Sequence, residues 1–424
     1  MTLGCKVNSY ETEAVWELLE KEHYQRVDFQ DIADVYIINT CTVTNTGENK
    51  SKKMIRQAIH KNPNAVVVVM GCYSQLKAEE ARSIEGVSIV VGTNHRDQIP
   101  SLIKSYINTH QTIDAVENLS RDEPYDNLSI FKLAHHHRAF LKIQDGCNNF
   151  CSYCIIPYTR GRVRSKQPNR VIEEAIHLIA SGYHEIVLTG IHTGGYGLDL
   201  PDYRFSDLLR DLVKLPGLSR LRISSIEITE LTDDVMAIIS ESNVIVNHLH
   251  IPLQSGSKRI LSLMNRKYSK QEFLDKLSYL RSIKPNLAIT TDLIVGFPTE
   301  TEDDFEEMLA FVKECQFQEI HVFPFSRRDG TPAAKMSPQV DGTIKKERVN
   351  RMLEASRQLA LLYAQSNVGM IHEIICEQYK DGEWIGHAAN YLKIRFKGDP
   401  ELTGKLVNVQ VTEAGYPECI GNIL

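Results

Sequence analysis

The sequence predicts a multidomain α/β protein: an N-terminal open parallel α/β unit, a central partial (β/α)6 barrel and a small C-terminal β-barrel of the OB type. Three observations predict it. At about 100–200 residues per domain, 424 residues suggest two to four domains. Short β-branched runs alternate with charged helical stretches through most of the chain, the pattern of βαβ units. Over residues 366–424 the pattern changes to short alternating segments cut by glycine, as in small all-β units. Hydrophobic content of 42% with 24% charge is ordinary globular composition. No apolar run approaches the roughly 18 residues of a membrane span, and no secretory signal opens the chain. Nine cysteines, odd in number and dispersed, exclude a disulfide scaffold and point to a reduced, cytoplasmic protein. A net charge of −6 excludes a uniformly basic nucleic-acid coat, so any RNA site must be local.

In order along the chain, residues 1–118 contain strands over 35–39, 66–70 and 88–91, short and β-branched, with helices over 48–61 and 75–84 between them. Residues 119–137 form a linker, polar and acidic at its start and ending in His135, His136 and His137, which are expected to be an exposed approach to the next strand. Residues 138–365 repeat the strand–helix unit six times, with strands over 139–144, 185–188, 220–224, 248–252, 288–295 and 319–323. Helices follow over 170–181, 205–214, 233–240, 271–283, 302–315 and 345–363. Six units without a seventh or eighth suggest a barrel open on one side, with function at the carboxyl ends of the strands. Residues 366–424 read as strands over 371–377, 384–387, 392–396 and 406–411.

Six cysteines fall into two sets. Cys5, Cys41 and Cys72 each follow a strand, or a segment read as one. In an open parallel sheet the carboxyl ends share one edge, so three thiols can converge there despite their spacing; the alternative is three separate buried cysteines. Cys147, Cys151 and Cys154 are compact, in a loop after the first barrel strand. Zinc would want a fourth ligand, which this loop lacks although a distant histidine could supply it. An iron–sulfur cluster is held by thiolates at such spacings, and three of them leave one iron of four open to a ligand. Cys315, Cys376 and Cys419 read as buried thiols.

The C-x3-C-x2-C run, with Tyr153 before its last cysteine and a partial barrel around it, resembles the hallmark of radical S-adenosylmethionine enzymes. With the second cysteine set and the terminal β-unit, the whole chain resembles the radical S-adenosylmethionine methylthiotransferases. The stretches TLGCKVN, Glu11-Thr12-Glu13 and CNNFCSYCIIPYTR (147–160) are similar to the branch that converts N6-threonylcarbamoyladenosine at tRNA position 37 to its 2-methylthio form. The isopentenyladenosine branch has YGCQMN at the first cysteine and the ribosomal-protein branch GCPKN; Leu3, Lys6 and Val7 depart from both.

The resemblance implies that Cys5, Cys41 and Cys72 hold an auxiliary 4Fe-4S cluster and that Cys147, Cys151 and Cys154 hold the radical one. It implies two S-adenosylmethionine molecules per turnover, one giving the radical that removes hydrogen from adenine C2 and one giving the methyl group, with sulfur from the auxiliary cluster. Thr189 and Gly190 would face the cofactor's amino group, Ser224 and Glu227 its carboxylate or ribose, and Gly296, Phe297, Pro298 and Tyr153 its adenine. Residues 250–256 match a family segment and would line the active face. The expected partners are a threonylcarbamoyl-bearing tRNA and a flavodoxin- or ferredoxin-like reductant, for a protein that acts as a monomer and meets no membrane. The C-terminal unit would be a TRAM domain.

For RNA, Arg160, Arg162, Arg164, Lys166 and Arg170 follow the cluster loop, and no acidic residue lies between Tyr158 and Ile172. Alternation in an extended segment would put positions 160, 162, 164 and 166 on one face as a phosphate-binding stripe, where the bland reading is a solvated charged loop. Lys50, Lys52, Lys53 and Arg56 form a second candidate patch. The last unit carries five basic and eight acidic residues, net −3. Its RNA face would therefore be local: Lys393, Arg395 and Lys397 with the rings of Trp384 and Tyr391. Only Met1 to Gly4 precede Cys5, where the family has a strand, so an exposed sheet edge, a loosened Cys5 and a chain starting late are expected. Rival readings are the same chemistry on isopentenyladenosine tRNA or a ribosomal-protein aspartate, and a non-enzymatic zinc-bearing RNA-binding protein.

Overall fold

The computed structural model describes residues 1–120, 123–126, 128–130 and 138–424. His135, His136 and His137 lie outside the described residues. In the N-terminal unit β1 (Val35–Thr40), β2 (Val66–Gly71), β3 (Ile89–Val91) and β4 (Ile113–Ala115) pair in that order, all parallel. Every position of β2 is buried, which explains a valine run without alternation: helices cover both faces. Those helices are α1 (Lys6–Lys21), α2 (Asn45–Lys61), α3 (Cys72–Leu76), α4 (Ala78–Arg82) and α5 (Ile99–Thr109). The expected helix over 75–84 is thus two short ones broken at Lys77, while α1, α5 and β4 are additions. The buried face of α1 includes Asn8, Glu11, Glu13 and Glu17, and these polar residues mask its period.

The strand expected before Cys5 reduces to one parallel bridge, Thr2 to Asn39. The segment is nonetheless pinned to β1 rather than loose. Leu3 N–H donates to the Asn39 carbonyl at 2.9 Å, Asn39 N–H to that of Met1 at 3.0 Å, and the Met1 ammonium to that of Ile37 at 2.8 Å.

The central unit contains β5 (Ala139–Lys142), a short antiparallel ribbon of β6 (Gln144–Asp145) and β7 (Arg164–Ser165), then β8 (Glu185–Thr189), β9 (Arg220–Ile223), β10 (His248–His250), β11 (Ala288–Val295) and β12 (Glu319–Pro324). Parallel sheets β5-β8-β9 and β10-β11-β12 are joined by a Leu221–Ile245 bridge and by Ile226 N–H donating to His250 O at 3.0 Å, giving six barrel strands. The first strand ends earlier than expected because Gln144 and Asp145 leave it for the ribbon. Outside lie α6 (Ile156–Arg160), α7 (Pro168–Ala180), α8 (Phe205–Leu212), α9 (Asp233–Glu241), α10 (Lys258–Leu263), α11 (Lys270–Ile283), α12 (Glu302–Cys315) and α13 (Gly342–Ser366). Alternation along the strands sends Leu141, Leu188, Leu221, Leu249, Ile289 and Leu293 outward into the main core. By the same alternation Phe140, Val187, Arg222, His250, Asp292 and His321 face the lumen. A closed barrel fills that space with branched aliphatic layers; this one is largely polar.

The C-terminal unit is a closed barrel, order β13-β14-β15-β17-β16, from β13 (Ile371–Lys380), β14 (Glu383–Ala388), β15 (Lys393–Lys397), β16 (Leu406–Glu413) and β17 (Cys419–Ile423). β17, not expected from sequence, closes it. Tyr391, on the loop before β15, stacks on His248 with ring centroids 4.9 Å apart and takes the guanidinium of Arg222 at 4.7 Å. The small barrel thereby plugs the amino-terminal end of the large one.

Candidate cluster-binding site

Cys41 follows β1, Cys72 opens α3 directly after β2, and Cys5 caps the start of α1, so all three reach the carboxyl edge of the N-terminal sheet. Gly4 allows the approach. Its φ is +101°, and a Cβ there would lie 3.2 Å from Cys41 Cβ and 3.3 Å from its sulfur. Cys5 is exposed, Cys41 half-buried and Cys72 buried, so the set opens to solvent on one side. Burial pushes the Cys72 thiol up to about 11, against the pull of the Arg160 guanidinium, whose Nε donates to its sulfur at 3.3 Å.

The compact set is fixed by its loop. Asp145 Oδ1 accepts from Gly146 N–H at 2.8 Å, and Cys147 N–H donates to Gly161 O at 3.1 Å. Gly146 has φ +71°, and a Cβ there would meet Arg162 O at 1.8 Å, so only glycine fits. Asn149 N–H donates to Cys147 Sγ and Arg266 Nη1 to Cys151 Sγ, both at 3.4 Å. Burial and the neighbouring thiols push Cys147 and Cys154 up to about 12. Among the described residues only His250, Asp292 and His321 bring three ligand atoms within 4.8 Å of one another. Three free thiols in each set are the donor number that suits a four-iron cluster with one iron left open to a ligand.

Between the two sets lies a buried charge network that sequence reasoning missed. Arg160 donates to Glu11 at 2.8 and 3.1 Å, to Asp145 at 3.0 and 3.1 Å and to Asn8 at 2.8 Å. Lys142 reaches Glu11 at 2.8 Å and Asp145 at 2.7 Å. Arg96 lies 3.0 Å from Glu11 and 3.2 Å from Asp126, at ion-pair distance without hydrogen-bond alignment. Burial alone would raise both carboxyls. The cations overcome it, holding Glu11 at about 2 and Asp145 well below the carboxylate range.

This network corrects the expected phosphate-binding stripe. Arg160, Arg164 and Lys166 are 0, 5 and 3% exposed. Arg160 ends helix α6 rather than lying on an extended face. Arg164 donates to Asn94 at 2.6 Å, and Lys166 pairs with Glu174 and donates to Ser129 at 3.1 Å. Exposed cations remain at Arg162, over the Phe150 ring at 4.7 Å, and at Arg170, beside Glu173. In the second patch Lys52 pairs with Glu48 and Glu80, while Lys50, Lys53 and Arg56 stay exposed.

In the small barrel, Lys393, Arg395 and Lys397 do alternate with buried Ile394 and Phe396, but Lys393 and Arg395 face Glu418. The aromatic part of that expectation is corrected. Trp384 is 1% exposed in the barrel core, its Nε1 donating to Asp399 O at 2.8 Å, and Tyr391 is spent as the plug.

The residues expected around the cofactor end successive strands. Thr189 ends β8 with its hydroxyl on Val187 O at 3.1 Å; Gly190 follows, against Gln144. Ser224 follows β9 and shares a contact with Thr193 at 3.4 Å. Glu227 is paired with Arg266, the arginine that also touches Cys151 and donates to Pro252 O at 3.2 Å. Gly296, Phe297 and Pro298 follow β11 and are buried, with Phe297 edge-on to Phe325 and packed in one cluster with Tyr153. Arg266, His192 with Glu230, and Gln144 are further polar groups here that no local motif marks.

A three-cysteine loop at the mouth of an open six-stranded barrel defines a radical S-adenosylmethionine protein, and the Radical SAM superfamily model matches residues 141–312. Residues 1–92 match Uncharacterized protein family UPF0004. The chain is 50% identical over 422 residues to threonylcarbamoyladenosine tRNA methylthiotransferase MtaB of Bacillus subtilis, covering 98% of this chain and 94% of that one. It is 36% identical to the Aquifex aeolicus protein of that name (97% and 98% covered). It is 37% identical to tRNA-2-methylthio-N(6)-dimethylallyladenosine synthase of Clostridium botulinum (97% and 94% covered). Among solved structures, the radical S-adenosylmethionine methyltransferase TsrM of Kitasatospora setae, with cobalamin and a 4Fe-4S cluster, shares the fold at TM-score 0.58 and 13% identity, over 89% of this chain and 74% of that one. The chain belongs to the radical S-adenosylmethionine methylthiotransferases, and these similarities support the MtaB branch. The family implies S-adenosylmethionine and a 4Fe-4S cluster. No helix among the described residues is long and apolar enough to cross a membrane.

Proposed function

We propose that this protein methylthiolates C2 of N6-threonylcarbamoyladenosine at tRNA position 37, as its relatives' names state for them. Cys147, Cys151 and Cys154 hold the radical 4Fe-4S cluster, and Cys5, Cys41 and Cys72 a second, auxiliary one. Bound together, the clusters and S-adenosylmethionine supply the radical, the sulfur and the methyl group. The chain's own residues hold and orient them. Glu227, Ser224, Thr189 and Gly190 line the strand ends beside the radical loop, and Gly296, Phe297, Pro298 and Tyr153 form its apolar side.

The observation that carries this reading is the shared network. Arg160 touches Cys72, and Asp145, which Arg160 also touches, caps the loop that begins at Cys147. One rigid buried core thus fixes both thiol sets, which a reaction needing a radical from one and sulfur beside the other requires. In this reading the units are 1–118, 138–365 and 366–424, and the protein acts as a monomer with a flavodoxin- or ferredoxin-like reductant. The tRNA would be met at Arg162, Phe150, Tyr158 and Arg170 and on the β15 face, Lys393 and Arg395 contributing once Glu418 is displaced.

Anaerobic reconstitution should give about eight irons per chain, falling to about four in a Cys5→Ala, Cys41→Ala, Cys72→Ala variant. Stoichiometric zinc without iron would defeat the reading. Nucleosides from a deletion strain should lack 2-methylthio-threonylcarbamoyladenosine. Loss of the dimethylallyl product instead would move the substrate to the other branch.

A further inference from the structure

The inner wall of the barrel exposes an aromatic ring where a closed barrel would bury one. Strand register pairs Asp292 with His321 and Ile294 with Phe323. On β12, Ile320 and Val322 pack into the main core, so alternation turns His321 and Phe323 inward. On β11, Leu293 and Val295 pack into that core, and Asp292 and Ile294 turn inward. His321 is exposed, Phe323 is 45% exposed and Ile294 is half-buried. Apolar residues scattered singly over an outer surface are ordinary. A phenyl ring left in water on an inner wall, paired with isoleucine on the next strand, is a surface built to be covered. The row below it is polar. His250 Nε2 lies 3.3 Å from Asp292, its Nδ1 2.9 Å from Thr290 Oγ1, and its ring centroid 5.6 Å from that of His321.

The position of the ring says what covers it. Ile294 is next to last in β11 and Phe323 next to last in β12, so both stand at the carboxyl ends of the strands. Ile294 and Tyr153 pack on the cluster of Met264, Phe297 and Phe325, and Ser152 N–H donates to Met264 O at 3.0 Å. The wall is thereby tied to the loop of Cys151 and Cys154. On the other side, Ser326, shortly after Phe323, accepts from Asn45 N–H at 3.1 Å, and Arg328 donates to Thr42, next to Cys41, at 2.7 Å. Phe323 thus stands between the two thiol sets. A purine is apolar on its faces and polar along its edge. The wall has the same division, with Phe323 and Ile294 in one row and His321 and Asp292 in the next, about 7 Å down the strands.

We propose that Phe323 is the stacking face for the target adenine, with Ile294 beside it and His321 as the polar contact at the edge of the base. The inference rests on the substrate reading above and adds the residues that hold the base between the two cluster sites. The adenine of S-adenosylmethionine is the competing occupant of the same ring.

The test uses reconstituted full-length protein and an anticodon stem-loop bearing threonylcarbamoyladenosine. Phe323→Leu keeps apolar bulk but removes the π face, and should cut kcat/KM by roughly tenfold, the scale of one base–aromatic stack. Phe323→Tyr and Phe323→Trp should keep most of the wild-type value. With the ring already partly in solvent, iron per chain and thermal midpoint should match wild type in all three. S-adenosylmethionine cleavage without RNA should be unchanged in Phe323→Leu, while deoxyadenosine released per methylthiolated product should rise. His321→Ala should lower kcat/KM separately, and His321→Gln should restore part of it. Wild-type kcat/KM in Phe323→Leu would overturn the inference. So would a raised KM for S-adenosylmethionine in the RNA-free cleavage, which would give the ring to the cofactor. Wild type inactive on this stem-loop but active on one bearing dimethylallyladenosine would defeat the substrate reading alone, and the same Phe323 variants would then be compared on that stem-loop.

Discussion

Arg160 spends its guanidinium entirely inside the protein, on Cys72, Glu11, Asp145 and Asn8. Removing it leaves two carboxylates buried without their strongest partner, and breaking such a pair costs about 3–5 kcal/mol. Arg160→Met should therefore lower the urea midpoint sharply and reduce iron retention. Arg162→Ala, on an exposed arginine over Phe150, should leave stability within about 0.5 kcal/mol and reduce the salt slope of tRNA binding by about one. If both variants weakened tRNA binding at equal stability, the burial argument would fail. The Glu11 pair also sets a pH window. Its folded value, about 2, lies below the ordinary carboxylate value, so its contribution is complete above about pH 4.5 and fades as pH falls towards 2. The basic run was legible in the sequence; its fate was not. Of the two carboxylates facing Arg160, one comes from a residue 149 positions away and the other from 15 positions upstream, so an acid-free local stretch says nothing about acids in space.

At the scale of elements, one ring joins the ion pairs that link the two barrels, Arg138 with Glu377 and Arg220 with Glu373. Tyr391 stacks on His248 and receives Arg222 and Arg138 at 4.7 and 5.4 Å. A desolvated cation–π contact is worth about 2 kcal/mol. Tyr391→Ala should cost at least that in thermal stability, whereas Tyr379→Ala, on an exposed ring of the same unit, should cost little. Equal losses would show that the plug contributes nothing particular. The barrel strands were legible because β-branched runs of fixed length recur between helical stretches. Helix α1 was not, because its buried face carries asparagine and glutamates committed to tertiary partners. Trp384 was legible as an aromatic in an alternating strand but was assigned to the wrong face. The residues opposite it, Glu383 and Ile385, do not form a polar–apolar contrast strong enough to fix the register.

Across the whole molecule, the N-terminal unit is tied to the barrel by buried polar bonds rather than by a loose interface. Arg328, after β12, donates to Thr42 at 2.7 Å, to Asn45 at 2.5 Å and to Glu48 at 2.6 Å. Burial would raise the Glu48 carboxyl, but Lys77, Arg328 and Lys52 bring it to about 2. Thr93 adds a bond to Thr159 O at 2.9 Å. Thr42 adjoins Cys41, so this seam also braces the auxiliary thiols from the barrel side. The cysteine sets were legible one by one, but their junction was not, since Arg328 and Glu48 are 280 positions apart. Arg328→Ala should free the N-terminal unit to open on its own while leaving the radical loop, held by Asp145, Arg266 and Met264, in place. Wild type should then unfold in one calorimetric transition and the variant in two. Iron should leave the variant in two stages under chelation, about four per chain early and four late. S-adenosylmethionine cleavage should outlast methylthiolation across the early stage. Loss of all iron in a single stage would show instead that the two thiol sets stand or fall together, with the network around Arg160 as the stronger bond between them.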